Sequence, residues 1–194
     1  MITVTRYFSI RELDQLATLI GAKWKYLASA GFEGHPQAVW PIYACGGSQQ
    51  IGLWSEYTSD NFGDFEEEFN ELHVVEPADD LAKAVRDGKV FVQHHGLEVK
   101  DILIGRTEVT MTERGADLFS LTCDSAVSFA FSDGFVTVTK ATDITCLLRV
   151  GFAKEREDIC IPDYTVEWLG EPELGVECRQ TTRLIPISTL LAEA

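Results

Sequence analysis

The stretch "SFAFSDGFVTVTK", residues 128–140, decides the fold expected for the C-terminal half. Apolar and polar residues alternate on both sides of Asp133-Gly134, and an Asp-Gly step between two alternating runs is a strong signal for a β-hairpin. The same period of two extends from Val90 to Ile185, with further turn signals at Gly96, Gly115 and Asp124-Ser125. We therefore expect residues 89–185 to form a mostly antiparallel β-sheet, folded as a sandwich or an open barrel.

Upstream of residue 89 the period changes to that of a helix. Ser9 and Glu12 have the spacing of a capping box and predict a helix from about 10 to 20, with a continuation to 28 left open. The same signals predict three further elements: a hairpin turning at Gly46-Gly47 in "QAVWPIYACGGSQQIGLWSEYT" (37–58), and short helices in "DFEEEFNEL" (64–72) and "PADDLAKAVRDG" (77–88).

These elements together predict an α+β fold, in which N-terminal helices and a short hairpin pack on a C-terminal, mostly antiparallel sheet. No linker rich in Gly, Ser or Pro separates the two halves. We therefore expect a single domain over residues 1–194, with a helix-rich acidic half at 1–88 and an antiparallel β half at 89–185. An apolar content of 45% suits a globular chain that buries a core.

The formal net charge of -15 at pH 7 restricts the partners of this chain. Nucleic-acid binding requires clustered Lys and Arg, and an anionic membrane repels an acidic chain for the same reason. The N-terminal residues do not resemble a signal peptide, and five cysteines occur without a C-x-x-C pair. We expect a cytoplasmic protein that contacts neither nucleic acid directly nor a membrane, and the sequence leaves its oligomeric state open.

The acidic residues are concentrated between Lys25 and Lys83. This segment contains eleven Asp and Glu residues and no Lys or Arg. Aromatic residues alternate with the acids there, and aromatic anchors ringed by charge are typical of protein-binding surfaces. We predict a partner-binding surface formed by Trp54, Tyr57, Asp60, Asp64, Glu66, Glu67, Glu68 and Glu71.

Motifs for catalysis or for a cofactor do not stand out. His94 and His95 are neighbours, but adjacent strand residues face opposite sides of a sheet, and zinc ligands usually arrive as closely spaced pairs that this sequence lacks. A calcium loop beginning at Asp60 fails at its glycine position, where Phe65 stands. We therefore predict no catalytic residue, no metal site and no cofactor.

Two classes of function stay open. The first is a non-catalytic, acidic protein-binding module that covers a basic surface of a partner protein, as an inhibitor, an immunity-type protein or a nucleic-acid mimic does. The second is a small enzyme or ligand-binding protein with a pocket in the β-sheet half, where His94, His95, Asp101 and Arg149 would supply polar groups. The combination of charge and aromatic residues favours the first class.

Overall fold

The fold is mostly β, which overturns the α+β prediction. The computed structural model describes residues 2–62, 65–142, 145–168 and 175–194, and along 60–62, 65–68, 167 and 168 it describes the backbone only. In this part of the chain, strands account for 53% and helices for 16%. The helices do not form an N-terminal layer on a C-terminal sheet, because the N-terminal half contributes strands of its own.

The elements are named in chain order. The strands are β1 (Ile2–Arg6), β2 (Trp24–Ala28), β3 (Gln37–Ala38), β4 (Ile42–Gly46), β5 (Gln49–Phe62), β6 (Phe65–Val75), β7 (Val90–Phe91), β8 (Asp101–Glu113), β9 (Ala116–Phe131), β10 (Gly134–Lys140), β11 (Leu148–Ala153) and β12 (Val176–Pro186). The α-helical segments are α1 (Ile10–Ala17), α2 (Asp79–Arg86), α3 (Thr165–Trp168) and α4 (Ile187–Glu193). Among these described helices, none has the length and apolar character needed to cross a membrane.

The strands form one seven-stranded and one five-stranded sheet. The larger sheet has the order β12-β8-β9-β10-β11-β3, and β1 joins it by pairing in parallel with β9. The smaller sheet has the order β6-β5-β4-β2-β7 and is antiparallel. The C-terminal strands therefore do not close on themselves as a sandwich or barrel: they supply most of one sheet, and the N-terminal half supplies most of the other.

The hairpin predicted at Asp133-Gly134 is confirmed, and it joins β9 to β10. A turn was also expected at Asp124-Ser125, but β9 runs through this position without turning back. A register shift there places Asp124 opposite Arg106, and the Arg106 Nε atom donates a 2.8 Å hydrogen bond to the Asp124 carboxylate. The polar pair thus marks a β-bulge inside a long strand.

The main core lies between the two sheets. Trp24 of β2 contacts Phe129 and Phe131 of β9, with ring centroids 4.9 and 5.3 Å apart. Helices α1 and α4 contribute buried leucines to the same cluster, including Leu16 and Leu190. Each large apolar side chain buried in this way stabilises the fold by about 1.5–3 kcal/mol.

The helix predicted over residues 64–72 is wrong, because residues 65–72 belong to strand β6. All eleven residues of β6 pair with β5, in an antiparallel register that runs from Gly52 opposite Val75 to Phe62 opposite Phe65. The glutamates in this segment favour a helix when taken alone. Helix propensity is a weak preference, however, and the long-range pairing with β5 overrides it.

Other local predictions are confirmed. Ser9 and Glu12 form a capping box at the start of α1, α2 occupies the second predicted helix, and β4 and β5 form the predicted hairpin. The continuation of the first helix to residue 28 does not occur. Gly21 takes a φ of +81° after the helix, and the chain then enters β2.

The turn between β9 and β10 depends on Gly134. Its φ is +150°, and a Cβ added there would lie 2.6 Å from the Ala153 carbonyl oxygen. We expect Gly134→Ala to lower the free energy of unfolding by about 1–3 kcal/mol, because the backbone and the neighbouring strand must both shift. Gly151→Ala in β11 is the control, since a Cβ there meets nothing within 4 Å. Urea denaturation measures both variants, and equal losses would contradict this prediction.

Candidate functional site

The outer face of the five-stranded sheet has a covered part and an open part. Helix α2 covers one part, where Leu81 and Ala84 pack in one cluster with Ala28, Tyr43 and Cys45. The open part lies on β5 and β6 near Trp54 and Glu56, where successive side chains alternate between the core and the outer face. Farther along β6, Phe69 is buried in a cluster with Val4 and Phe119 of the seven-stranded sheet. This open part carries the candidate site.

An apolar groove lies at the border between the two parts. It has a volume of about 380 Å³ and is lined by Trp40, Pro41, Tyr43, Trp54, Val75, Glu76, Ala78 and Asp80. We call it the tryptophan groove. The Trp40 side chain is 53% exposed, although a tryptophan is usually among the more buried residues of a protein. The groove is therefore a shallow, largely open apolar depression.

Two glycines shape the tryptophan groove. Gly52 of β5 lies in its floor, where an added Cβ would lie 2.6 Å from Val75 Cγ2 and 3.0 Å from Tyr43 Cε1. Gly31 lies behind Trp40, where an added Cβ would lie 2.9 Å from Trp40 Cδ1. The missing side chains let the groove residues pack directly against the backbone.

Carboxylates stand at the rim of the tryptophan groove. Asp80 accepts a hydrogen bond of 2.6 Å from the Tyr43 hydroxyl, and Glu76 accepts one of 2.6 Å from Gln15 Nε2. Burial raises the pKa of Tyr43, and the bond to Asp80 also raises it. The Tyr43 hydroxyl therefore remains a donor at neutral pH, and it holds the Asp80 carboxylate in place.

A second hollow, of about 360 Å³, adjoins the groove and is centred on His73. The His73 Nδ1 atom lies 3.5 Å from Glu12. Its Nε2 atom lies 3.8 Å from Glu56 and 3.6 Å from Glu71. The pKa of His73 is raised, chiefly by its hydrogen bond with Glu12; burial opposes this rise, and the charges of Glu12, Glu71 and Glu56 add to it. We call these four residues the His73 cluster.

Glu12 ties α1 to the edge of the five-stranded sheet. Its carboxylate accepts hydrogen bonds from the backbone N–H groups of Ser9, at 2.8 Å, and of Val74, at 3.0 Å. Burial would raise the pKa of Glu12, but the hydrogen bonds from His73, Ser9 and Val74 lower it to about 2. Strand β6 is an edge strand of its sheet. The bond to Val74 occupies an N–H group on that edge, which would otherwise be open to another strand.

The predicted partner-binding residues lie on the β5–β6 hairpin rather than on a helix. Trp54 lines the tryptophan groove, and Glu71 belongs to the His73 cluster. Tyr57 is 47% exposed, but alternation along β5 puts it on the opposite face from Trp54. The backbone alone places Asp60, Glu66, Glu67 and Glu68 in the hairpin, and Asp64 lies outside the described residues. Their role as a binding surface stays a prediction.

Sequence reasoning missed several residues of this face. Trp40, Val75 and Asp80 come from separate elements and meet because β4, β5 and β6 pair side by side. One usable signal was present in the sequence. The run Glu71–Val75 alternates between polar and apolar residues until its last step, a pattern that indicates a strand and places Glu71 and His73 on one face.

His94 and His95 do not share a ligand site. Their Nδ1 atoms have different partners, since His94 lies 2.7 Å from Asp133 Oδ1 and His95 lies 3.0 Å from the Lys25 carbonyl oxygen. Strand β7 ends at Phe91, and His94 has a φ of +58°, so the pair lies in a turn. Within the described ranges, no group of three or more His, Cys, Asp or Glu residues is arranged to hold a metal ion.

The other two polar residues expected in a pocket of the β half also lie apart. Asp101 begins β8, whereas Arg149 is exposed on β11. A cavity of about 430 Å³ in this half is lined instead by Arg156, Glu157, Ile159, Ile161, Thr182 and Leu184. The Arg156 guanidinium already donates a 2.6 Å hydrogen bond to the Leu184 carbonyl oxygen. None of the four residues named from the sequence lines this cavity.

The link between α1 and β6 can be tested with Glu12→Gln. We expect the free energy of unfolding near neutral pH to fall by about 1–2 kcal/mol, because charge-assisted hydrogen bonds are weakened. The folded-state pKa of Glu12 lies below its ordinary value, so its contribution is complete above pH 4.5 and is lost as the pH falls toward about 2. Urea denaturation should therefore show the difference from wild type shrinking over this range. Asp14→Asn, an exposed acid on the same helix, is the control, and a pH-independent effect of Glu12→Gln would contradict the prediction.

The tryptophan groove and the hollow around the His73 cluster form one continuous surface. They share Trp54, Val75 and Glu76 as lining residues. Apolar rings with Glu76 and Asp80 at their rim lie at one end of this surface, and Glu12, Glu56, His73 and Arg11 lie at the other. Comparison of the chain with models of protein families, with curated proteins and with solved structures found no match.

Proposed function

We propose that this protein is a non-catalytic, acidic protein-binding module that covers a basic surface of a partner protein. The observation that carries the proposal is the open outer face of β5 and β6, where Trp54 connects an apolar groove with a cluster of three carboxylates. In protein interfaces, aromatic rings supply contact area, and charge around them supplies complementarity to the partner.

The pairing of acids across the hairpin supports a basic partner. Glu56 of β5 lies directly opposite Glu71 of β6, and like charges at such positions destabilise a sheet. Arg6 donates a 2.6 Å hydrogen bond to Glu71, whereas the Glu56 side chain is 63% exposed and lies 3.8 Å from His73. A basic surface placed over Glu56 would offset the repulsion that the hairpin carries.

The rest of the hairpin extends this acidic stretch. Its backbone register places Asp60 opposite Glu67, and the segment between Lys25 and Lys83 contains no Lys or Arg. The field of a chain with a net charge of -15 steers basic proteins toward such a face and speeds their association. The same field repels phosphate, so nucleic acids and anionic membranes are not proposed as direct partners. Two kinds of basic partner fit this face. In one case this chain would act as an inhibitor or immunity-type protein that covers a basic target, and in the other its acids would occupy the phosphate site of a nucleic-acid-binding protein.

Thiol chemistry supports a cytoplasmic site of action. Cys45, Cys146 and Cys160 are free thiols, and the sequence contains no C-x-x-C pair. Disulfides form and persist mainly in oxidising compartments. A chain that keeps its thiols suits the reducing environment of the cytoplasm.

Neutralising the hairpin acids tests the proposed function. We expect the immobilised wild-type protein to retain a basic protein from a lysate at about 50 mM salt. A variant with Glu56, Glu66, Glu67 and Glu68 all changed to Gln should not retain it, whereas Glu71 is left intact because it binds Arg6. The purified partner should then bind the wild type in calorimetry, with an affinity that falls as salt rises, because salt screens exposed charges.

The matched control removes four exposed charges elsewhere, through Glu108→Gln, Asp117→Asn, Glu155→Gln and Glu177→Gln. It should bind the partner like the wild type. Equal loss of binding in both variants would mean that net charge alone attracts the partner. Equal retention would mean that the hairpin acids are only a solvated face. Either result would refute the proposed function.

A further inference from the structure

We propose that the tryptophan groove is the pocket for an arginine side chain of the basic partner. This inference rests on the proposed function and adds the chemical group that the groove selects. The groove supplies two indole rings, Trp40 and Trp54, and two carboxylates at its rim, Glu76 and Asp80.

Trp40 is exposed but held in a defined place. Its side chain is 53% exposed, yet Gly31 behind it leaves no room even for a Cβ. Pro41 follows directly, and its ring restricts the backbone at the point where the chain enters β4. Trp40 therefore presents a large apolar side chain to solvent, and an occupant that covers it removes apolar surface from water.

The rim carboxylates are also held in place before any occupant arrives. The Tyr43 hydroxyl fixes Asp80 from inside the groove, and Gln15 fixes Glu76 from α1, each through a 2.6 Å hydrogen bond. A carboxylate has two oxygens and accepts several hydrogen bonds, so both groups keep the capacity to bind a cation. Side chains that are already ordered lose little entropy when a ligand binds.

A guanidinium is the cation that matches this arrangement. Its flat face stacks on an indole, its edge donates paired hydrogen bonds to a carboxylate, and its weak hydration favours entry into an apolar groove. A lysine ammonium is a compact, strongly hydrated point charge and gains less from the ring faces.

The protein forms the same kind of contact twice with its own residues. The Arg106 Cζ atom lies 3.6 Å from the centre of the Tyr7 ring, while its Nε atom donates a 2.8 Å hydrogen bond to Asp124. Arg6, whose Nε atom donates to Glu71 at 2.6 Å, lies over a phenylalanine ring of β6, with 5.4 Å from Cζ to the ring centre. In both places an arginine contacts an aromatic face and a carboxylate together. The lining of the tryptophan groove contains rings and carboxylates but no arginine.

Two peptides of equal charge test the inference. One carries several arginines in a flexible Gly/Ser chain, and the other carries the same number of lysines. We expect the wild type to bind the arginine peptide about tenfold more tightly at about 50 mM salt, and Trp40→Ala to abolish that preference. Asp80→Asn should also abolish it, because the amide oxygen still accepts the Tyr43 bond but carries no charge. Calorimetry gives the affinities, and the indole N–H signal of Trp40 in NMR spectra should shift while that of the buried Trp24 stays in place.

Val39→Ala is the control. Val39 is 55% exposed beside Trp40 but does not line the groove, so this variant should bind like the wild type.

The arginine pocket would be overturned if the wild type bound both peptides with equal affinity and only the variant with Glu56, Glu66, Glu67 and Glu68 neutralised bound them more weakly. That result would leave the proposed function standing. Tighter binding of an uncharged proline-rich peptide would assign the groove to polyproline ligands and overturn the arginine pocket. So would a wild-type dimer that Trp40→Ala dissociates, since the occupant would then be a second copy of the chain. Failure of both peptides to bind would overturn it too, while the partner capture described above decides the proposed function separately.

Discussion

Trp24 lies against the rings of Phe129 and Phe131, and this contact positions the five-stranded sheet on the seven-stranded one. It depends on β9, which pairs with β8 along one side and with β1 and then β10 along the other. A slip of β9 by one residue would turn its buried side chains to the other face of the sheet. The burial of one face therefore fixes the register of β9, and β9 in turn fixes the register of the strands that pair with it. The inner face of the smaller sheet is thereby used for the core, and helix α2 covers part of its outer face.

Sequence reasoning succeeded where the signal and the structure are local. The capping box at Ser9 and Glu12, the Asp133-Gly134 turn and the helix of α2 each involve residues within one or two turns of the chain. Failures occurred where distant residues decide the outcome. Residues 65–72 contain a stripe of Phe and Leu that fits a helix, but the pairing with β5 makes them a strand. Asp124-Ser125 looks like a turn when the sequence is read locally. Asp124 is polar here because it pairs with Arg106, and Arg106 lies in another strand.

The candidate site was predictable only in part for the same reason. Trp54 was predicted to be a binding residue because it lies among acids and aromatic residues in the sequence, and it lines the tryptophan groove. The groove itself was not predictable from the sequence. It requires Gly52 to lie opposite Tyr43 on one side and opposite Val75 on the other, and α2 to bring Asp80 to the rim. These residues meet only because of the register in which β4, β5 and β6 pair. The sequence could not predict that register, because residues 65–72 of β6 were predicted to be a helix.

Two features near the outer face of β5 and β6 depart from local stability rules. Elsewhere the chain pairs the buried Asp124 with Arg106. Around the tryptophan groove and the His73 cluster it keeps Trp40 exposed and sets Glu56 opposite Glu71, which also binds Arg6. Sequences normally agree with their fold at every level, and the exceptions are expected where function requires them. Under the proposed function, a basic partner that covers this face would bury the exposed ring and offset the repulsion between the two acids, so one kind of partner would account for both features.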